Sequence, residues 1–218
     1  MGKFKPGAMG VVRGLIGTIV ASKWKDTHVV KGRPSKSHKA ATLQQADQRM
    51  RFGVVTALLK RITALIGEGY QKAGKNQTAM NEAISYHLKN AIIGTYPDYK
   101  LDFTKLKISK GDKSSLDPAW QPKLIASAGA VVTVSWELFK YSSKDSSGTD
   151  TITILFYNVE KDKFIMLPYA ALRSELNIAE QLPEAYVGNT FHCYVYMVSR
   201  DKKKLSASQY IGQVKVLA

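Results

Sequence analysis

Between residues 131 and 217 apolar side chains return at alternate positions in short runs, and polar turns separate the runs. Val132, Val134 and Trp136 alternate with Thr133, Ser135 and Glu137, and Ile152, Ile154 and Phe156 with Thr151, Thr153 and Leu155. Further runs lie at residues 164–167, 191–198 and 210–217, and a polar turn at 142–148. A period of two puts alternate side chains on opposite faces of a strand, so each run has one face to bury. Short strands joined by polar turns meet that demand by closing two antiparallel sheets on each other. With Trp136 on an early central strand, the pattern predicts a β-sandwich of immunoglobulin or fibronectin type. Leu101, Phe103, Leu106 and Ile108 read as one more strand. Asp117-Pro118 and Gln121-Pro122 punctuate a loop holding Trp120, and residues 169–182 read as a short helix or a cross-connection.

Upstream of residue 100 the period is 3.6. Ala46, Met50, Val54, Leu58, Ile62 and Leu65 form one stripe, widened by Val55, Leu59 and Ile66, and predict a helix over residues 42–66. Thr42 and Gln45 fit a capping box, and Gly67 fits a stop. A second helix is expected over residues 77–93, with Asn76 as N-cap and Gly94 at its end. A short loop makes the two antiparallel neighbours.

The first third has another character. Gly7, Gly10, Gly14 and Gly17 punctuate a largely β-branched run, and Trp24 follows. Residues 7–33 predict a meander of short strands, and residues 34–41 a polar basic connector. A small meander cannot bury both faces alone, so it needs the rest of the chain or another chain. The fold expected is therefore α+β, with a basic N-terminal region over residues 1–99 and the sandwich over residues 100–218.

Charge follows the same division. The net charge of +15 resolves into +9 for residues 1–51, +5 for residues 52–110 and +1 for residues 111–218. Such a field attracts polyanions or an acidic protein surface. Lys23, Lys25, Lys31, Arg33, Lys36, Lys39, Arg49 and Arg51 are the candidate polyanion-binding residues, with Trp24 placed to stack on a base.

Signs of catalysis are missing from the sequence. The histidines, His28, His38, His87 and His192, form no spacing suited to a metal, and one cysteine, Cys193, builds neither a disulfide framework nor a zinc site. The glycine run matches no phosphate loop, and no nucleophile elbow is present. Carboxylates in residues 1–100 are limited to Asp26, Asp47, Glu68, Glu82 and Asp98, none paired in sequence. The expectation is a non-enzyme with no cofactor and no bound metal. The apolar stretch at residues 14–21 is short for an export signal, and no run approaches the ~20 apolar residues of a membrane span. A cytoplasmic protein, or one inside a phage-like particle, with no membrane partner is expected.

The Gly-rich start, then Trp24-Lys25, Arg33-Pro34, Thr42-x-x-Gln45 and Arg49-x-Arg51-Phe52, together with Ser127-Ala-Gly129, Trp136 and residues 206–210, resemble an uncharacterised family of Bacteroidota proteins. Phage-related structural proteins have somewhat similar N-terminal patterns. The resemblance implies assembly rather than catalysis and supplies no catalytic residues. Three functions are therefore expected, in order. The first is a structural protein that forms a homo-oligomer through Val11, Val12, Leu15, Ile16, Ile19, Val20 and Trp24. The second is a nucleic-acid-binding protein using the basic half. The third is an intracellular adaptor that recognises a protein through the sandwich.

Overall fold

The computed structural model describes residues 2–6, 10–24, 26–35, 39–71, 77–111, 116–138 and 146–218. Gly7, Lys25, Lys36, His38, Asn76 and residues 142–145, all singled out above, lie outside the described residues. Two compact units share the chain, Met1–Gln44 and Gln45–Ala218.

The first unit holds one antiparallel sheet built from β1 (Gly2–Phe4), β2 (Gly14–Ile16), β3 (Ile19–Trp24) and β4 (Thr27–Gly32). Their order is β1-β4-β3-β2. β2 and β3 turn through Gly17 and Thr18, since Ile16 pairs with Ile19. Gly17 has φ +56°, the left-handed conformation a tight hairpin asks of its first central residue. β3 and β4 pair along their whole length, from Ile19 against Gly32 to Trp24 against Thr27.

In the second unit, α1 (Leu43–Arg61), α2 (Thr63–Gly69) and α3 (Ala79–Asn90) precede the sandwich. The helix expected over residues 42–66 is two helices. The Thr63 hydroxyl donates to Lys60 O (2.6 Å), and Ile62 N turns to Leu59 O (3.2 Å), so the ladder tightens and breaks at Ile62. The third helix is shorter than residues 77–93. Thr78 caps it by accepting from Asn81 N, and it ends at Asn90. Ile92–Ile93 leave the helix as β5 and pair with β6 (Lys100–Leu101). The strand expected through Ile108 stops at Leu101. Asp102 accepts from Thr104 N and caps a 3₁₀ turn at Phe103–Lys105, which ends the extended backbone.

The sandwich uses β7 (Trp120–Ser127), β8 (Val131–Glu137), β9 (Thr151–Asn158), β10 (Lys163–Leu172), β11 (Asn177–Gln181), β12 (Thr190–Val198) and β13 (Gln209–Lys215). One sheet runs β10-β9-β12-β13 and the other β11-β8-β7. This is the immunoglobulin/fibronectin-like sandwich, and Trp136 is buried on the central strand β8, donating Nε1–H to Arg173 O (2.9 Å). Trp120 opens β7 rather than lying in a loop, and Pro122 falls where the β7–β8 register shifts. An edge strand tolerates proline because one side of its ladder is unpaired. Residues 169–182 contain no α-helix. β10 runs on to Leu172, a 3₁₀ turn follows, and β11 carries the chain into the other sheet.

Strands β9 and β12 are buried on both faces. Ile152, Ile154, Phe156, Phe191, Cys193, Val195 and Met197 join the core between the sheets. The alternate residues Leu155, Tyr157, Tyr194, Tyr196 and Val198 join a second core with Val55, Leu58, Leu59, Ile62, Leu65 and Ile66 of the helices. The helices therefore cover the outer face of the four-stranded sheet. That shared core is why the chain divides at Gln44/Gln45 instead of near residue 99. Polar tyrosine ends are satisfied at this seam. Tyr194 donates to Phe103 O (2.7 Å), and Tyr169 and Tyr196 both donate to the Glu68 carboxylate (2.6 and 3.2 Å).

Candidate assembly surface

The sheet of the first unit is made by β-branched residues in β3 and β4, which suit a pleated, half-buried surface. Residues directly opposite in an antiparallel pair share a face. Ile16, Ile19, Ala21, Lys23, His28, Val30 and Phe4 thus fall on one face, and Leu15, Val20, Trp24, Val29, Lys31 and Lys3 on the other. Ala21, His28 and Val29, in the two central strands, are buried. Phe4 and His28 meet with ring centroids 5.6 Å apart.

Around that small centre the apolar side chains are open. Val11, Leu15, Ile16, Ile19 and Trp24 are each 40–55% exposed, while Val12 and Val20 are half-buried. Trp24 is at the end of β3 with about half its surface free, so it does not serve as a buried anchor of the meander. β1 and β2 are the two edges, each three residues long and each paired on one side only. Such edges offer unpaired backbone donors and acceptors to another strand.

Within the described sheet the lysines of β3 and β4 do not share one face. Lys23 stands opposite His28, whereas Lys31 stands opposite Val20, so the two project from opposite sides of the sheet. Arg33 is exposed after β4, its backbone N–H donating to Thr18 O (2.8 Å), and Lys39 is exposed before α1. Arg49 and Arg51 belong to the second unit, on α1. Arg49 is exposed. Arg51 is committed within the unit: its Nη2 donates to Tyr99 Oη (3.0 Å), its Nε lies 3.4 Å from Asp47 Oδ2, and the guanidinium sits 4.9 Å from the Tyr99 ring centre. The hydrogen bond to Tyr99, with the Asp47 charge, raises the Arg51 pKa above its ordinary value. The pattern of cations in the sequence did not reveal this pairing, because Tyr99 lies far along the chain.

Exposed apolar residues also occur on α1, among them Met50, which the helical period assigned to the buried stripe. Leu43, Met50 and Phe52 are exposed, and burial begins at Val55. His28, His87, His192 and Cys193 are buried. His87 Nδ1 bonds Ala83 O (2.7 Å), and Nε2 accepts from Lys107 N (3.1 Å), which assigns the proton to Nδ1. Burial lowers the His87 and His192 pKa values and pushes the Cys193 thiol up. Among the described residues no group of three or more His, Cys, Asp or Glu is placed to hold a metal ion, and no helix is long and apolar enough to cross a membrane.

The profile described as "Family of unknown function (DUF6266)" matches residues 11–212. None of the curated proteins searched matches the chain. Among solved structures, the chain is similar to the twitchin kinase region from C. elegans (12% identity, TM-score 0.37, 47% of this chain and 17% of that one). It is also similar to a chain of a cytokine receptor complex (17%, 0.35, 46% and 51%) and to the fn3 domain of human collagen alpha-1(XX) chain (12%, 0.34, 50% and 93%). The chain thus spans about a sixth of the first structure and about half of the second.

Proposed function

We propose that this chain, which belongs to the DUF6266 family of unknown function, is a non-enzymatic structural protein that assembles with copies of itself through its glycine-rich N-terminal sheet. One observation carries the reading: Leu15 and Trp24 on one face, and Ile16 and Ile19 on the other, stand exposed on a sheet whose two edge strands are each paired on one side only. Isolated exposed apolar residues are ordinary, but a group of them beside free strand edges marks an association surface. A neighbour's strand would extend the sheet through backbone hydrogen bonds, and the apolar side chains would supply the buried area. The likeness of the N-terminal pattern to phage-related structural proteins and to a Bacteroidota family agrees with assembly inside a cell or a phage-like particle.

Hydrogen exchange tests this at the surface itself. At high protein concentration the amides of β2 should exchange more slowly than in dilute solution, while those of β9 and β12 stay unchanged. Concentration-independent exchange throughout β1 and β2 would overturn the reading.

Nucleic-acid binding is the second reading, favoured by one feature. Lys3, Lys23, Lys31 and Arg33 are exposed without a carboxylate partner among the described residues, and Asp26 is the only acid in residues 1–44. Under it, the purified chain carries absorbance at 260 nm that high salt removes, and Lys31→Glu with Arg33→Glu abolishes that while leaving the oligomer intact.

A further inference from the structure

At one end of the sandwich, where β9 begins and β10 finishes, a pocket of approximately 420 Å³ opens beside the turn between β12 and β13. Thr151, Tyr169, Leu172, Ser199, Arg200 and Lys202 line it. Its backbone is specialised. Tyr169 has φ +53° and lies where the β9–β10 register shifts between Leu167 and Ala171. A bulge of this kind re-aims a side chain, and a left-handed non-glycine residue is uncommon enough to ask what holds it. Tyr169 is held at both ends: its N–H donates to Thr153 Oγ1 (3.3 Å) and its hydroxyl to Glu68 Oε1 (2.6 Å). Lys202, with φ +57°, sets its ammonium 3.9 Å from the centre of the Tyr169 ring.

The pocket wall carries two cations, Arg200 and Lys202. Neither Arg200 nor Lys202 has a carboxylate partner among the described residues. Asp201, between them in sequence, adjoins the wall but is engaged by other donors, accepting from the lining Ser199 Oγ (2.6 Å) and from Lys203 N (3.2 Å). Asp150, which directly precedes β9, is paired with buried Arg173 at 3.3 Å. The hydroxyl protons are also committed, Ser199 to Asp201 and Thr151 to Val198 O (3.5 Å). Recognition therefore falls to the guanidinium, the ammonium and the apolar wall.

We propose that this pocket binds a small phosphate monoester, with Arg200 and Lys202 holding the phosphate and Tyr169 and Leu172 receiving the organic group. A guanidinium fork matches two phosphate oxygens, and an ammonium adds a point charge, so a near-dianion uses both cations. The volume lies in the lower range of small-molecule sites.

The test titrates the full chain with phenyl phosphate, and in parallel with inorganic phosphate and with phenol, following backbone amide shifts by NMR. Phenyl phosphate should give saturable shifts at Tyr169 and residues 199–203, inorganic phosphate weaker ones and phenol none. Arg200→Ala with Lys202→Ala should lower the affinity at least ~10-fold with the melting temperature unchanged, and Lys215→Ala, at the far end of β13, should leave it alone. No saturable response by about 10 mM phenyl phosphate, an equal loss in Lys215→Ala, or equal binding of phenol would overturn the proposal. Should the double variant not fold, Arg200→Lys keeps the charge and removes the fork. A lower affinity in that variant supports the site, and an unchanged one overturns it.

Discussion

Gly69 and Gly53 are both helical glycines, yet their surroundings give opposite expectations. A Cβ on Gly69 would lie 2.2 Å from Ile108 O and 2.8 Å from Ser109 Cα, both backbone atoms that cannot swing away. Gly53 meets nothing within 4 Å. Gly69→Ala should destabilise by roughly 2–4 kcal/mol through overpacking, and Gly53→Ala should stabilise by about 0.5–1 kcal/mol through helix propensity; urea denaturation midpoints check both. His87 makes a pH prediction. Burial lowers its pKa, so below about pH 6.5 the unfolded chain binds a proton that the folded chain resists. Stability supplied by the neutral ring is therefore full above about pH 6.5 and is lost as pH falls below it. His192 shifts the same way through burial, with Glu160 opposing. The urea midpoint should fall between about pH 7.5 and pH 5.5, and His87→Ala should be less stable at the higher pH but flatter between the two. An equally steep His87→Ala profile would contradict the assignment.

Among the elements, the helices and the four-stranded sheet stand or fall together. Residues 100–218 made alone would expose Leu155, Tyr157, Tyr194 and Tyr196, which the helices now cover. That fragment should aggregate or bind a hydrophobic dye, whereas residues 45–218 should fold; a cooperative thermal transition in the shorter fragment would contradict this. Glu68→Ala removes the acceptor for both Tyr169 and Tyr196 and should cost about 1–3 kcal/mol by denaturation. The sandwich was legible because β8 has one face on the core and one facing out, which writes a clean period of two. The docking of the helices was not, since β9 and β12 are covered on both sides and a doubly buried strand reads as an unbroken apolar run. β7 was hidden by Pro122 and by Gln121 with φ +44°, which mimic a turn. β11 was hidden because Asn177–Gln181 carries Ala and Glu, poor strand formers that an edge tolerates.

For the molecule as a whole, the basic N-terminal third and the nearly neutral sandwich differ in charge, and the first carries exposed apolar residues on a small sheet with two short edge strands. The residues of that surface were readable as β-prone, but their exposure was not, because Ile, Leu and Val suit a core and an interface equally. Charge was similarly half-readable: the excess of cations shows in the sequence, while the opposite facing of Lys23 and Lys31 follows only from strand register. The direct measurement is the mass of the full chain by light scattering after size exclusion, at low and high salt, beside Ile16→Lys with Ile19→Lys. Self-assembly through the apolar sheet predicts a species well above the monomer mass of 24.1 kDa that survives high salt, is free of nucleic acid, and falls to the monomer in the double variant. A native chain that elutes as a 24.1 kDa monomer at every concentration and salt would contradict it.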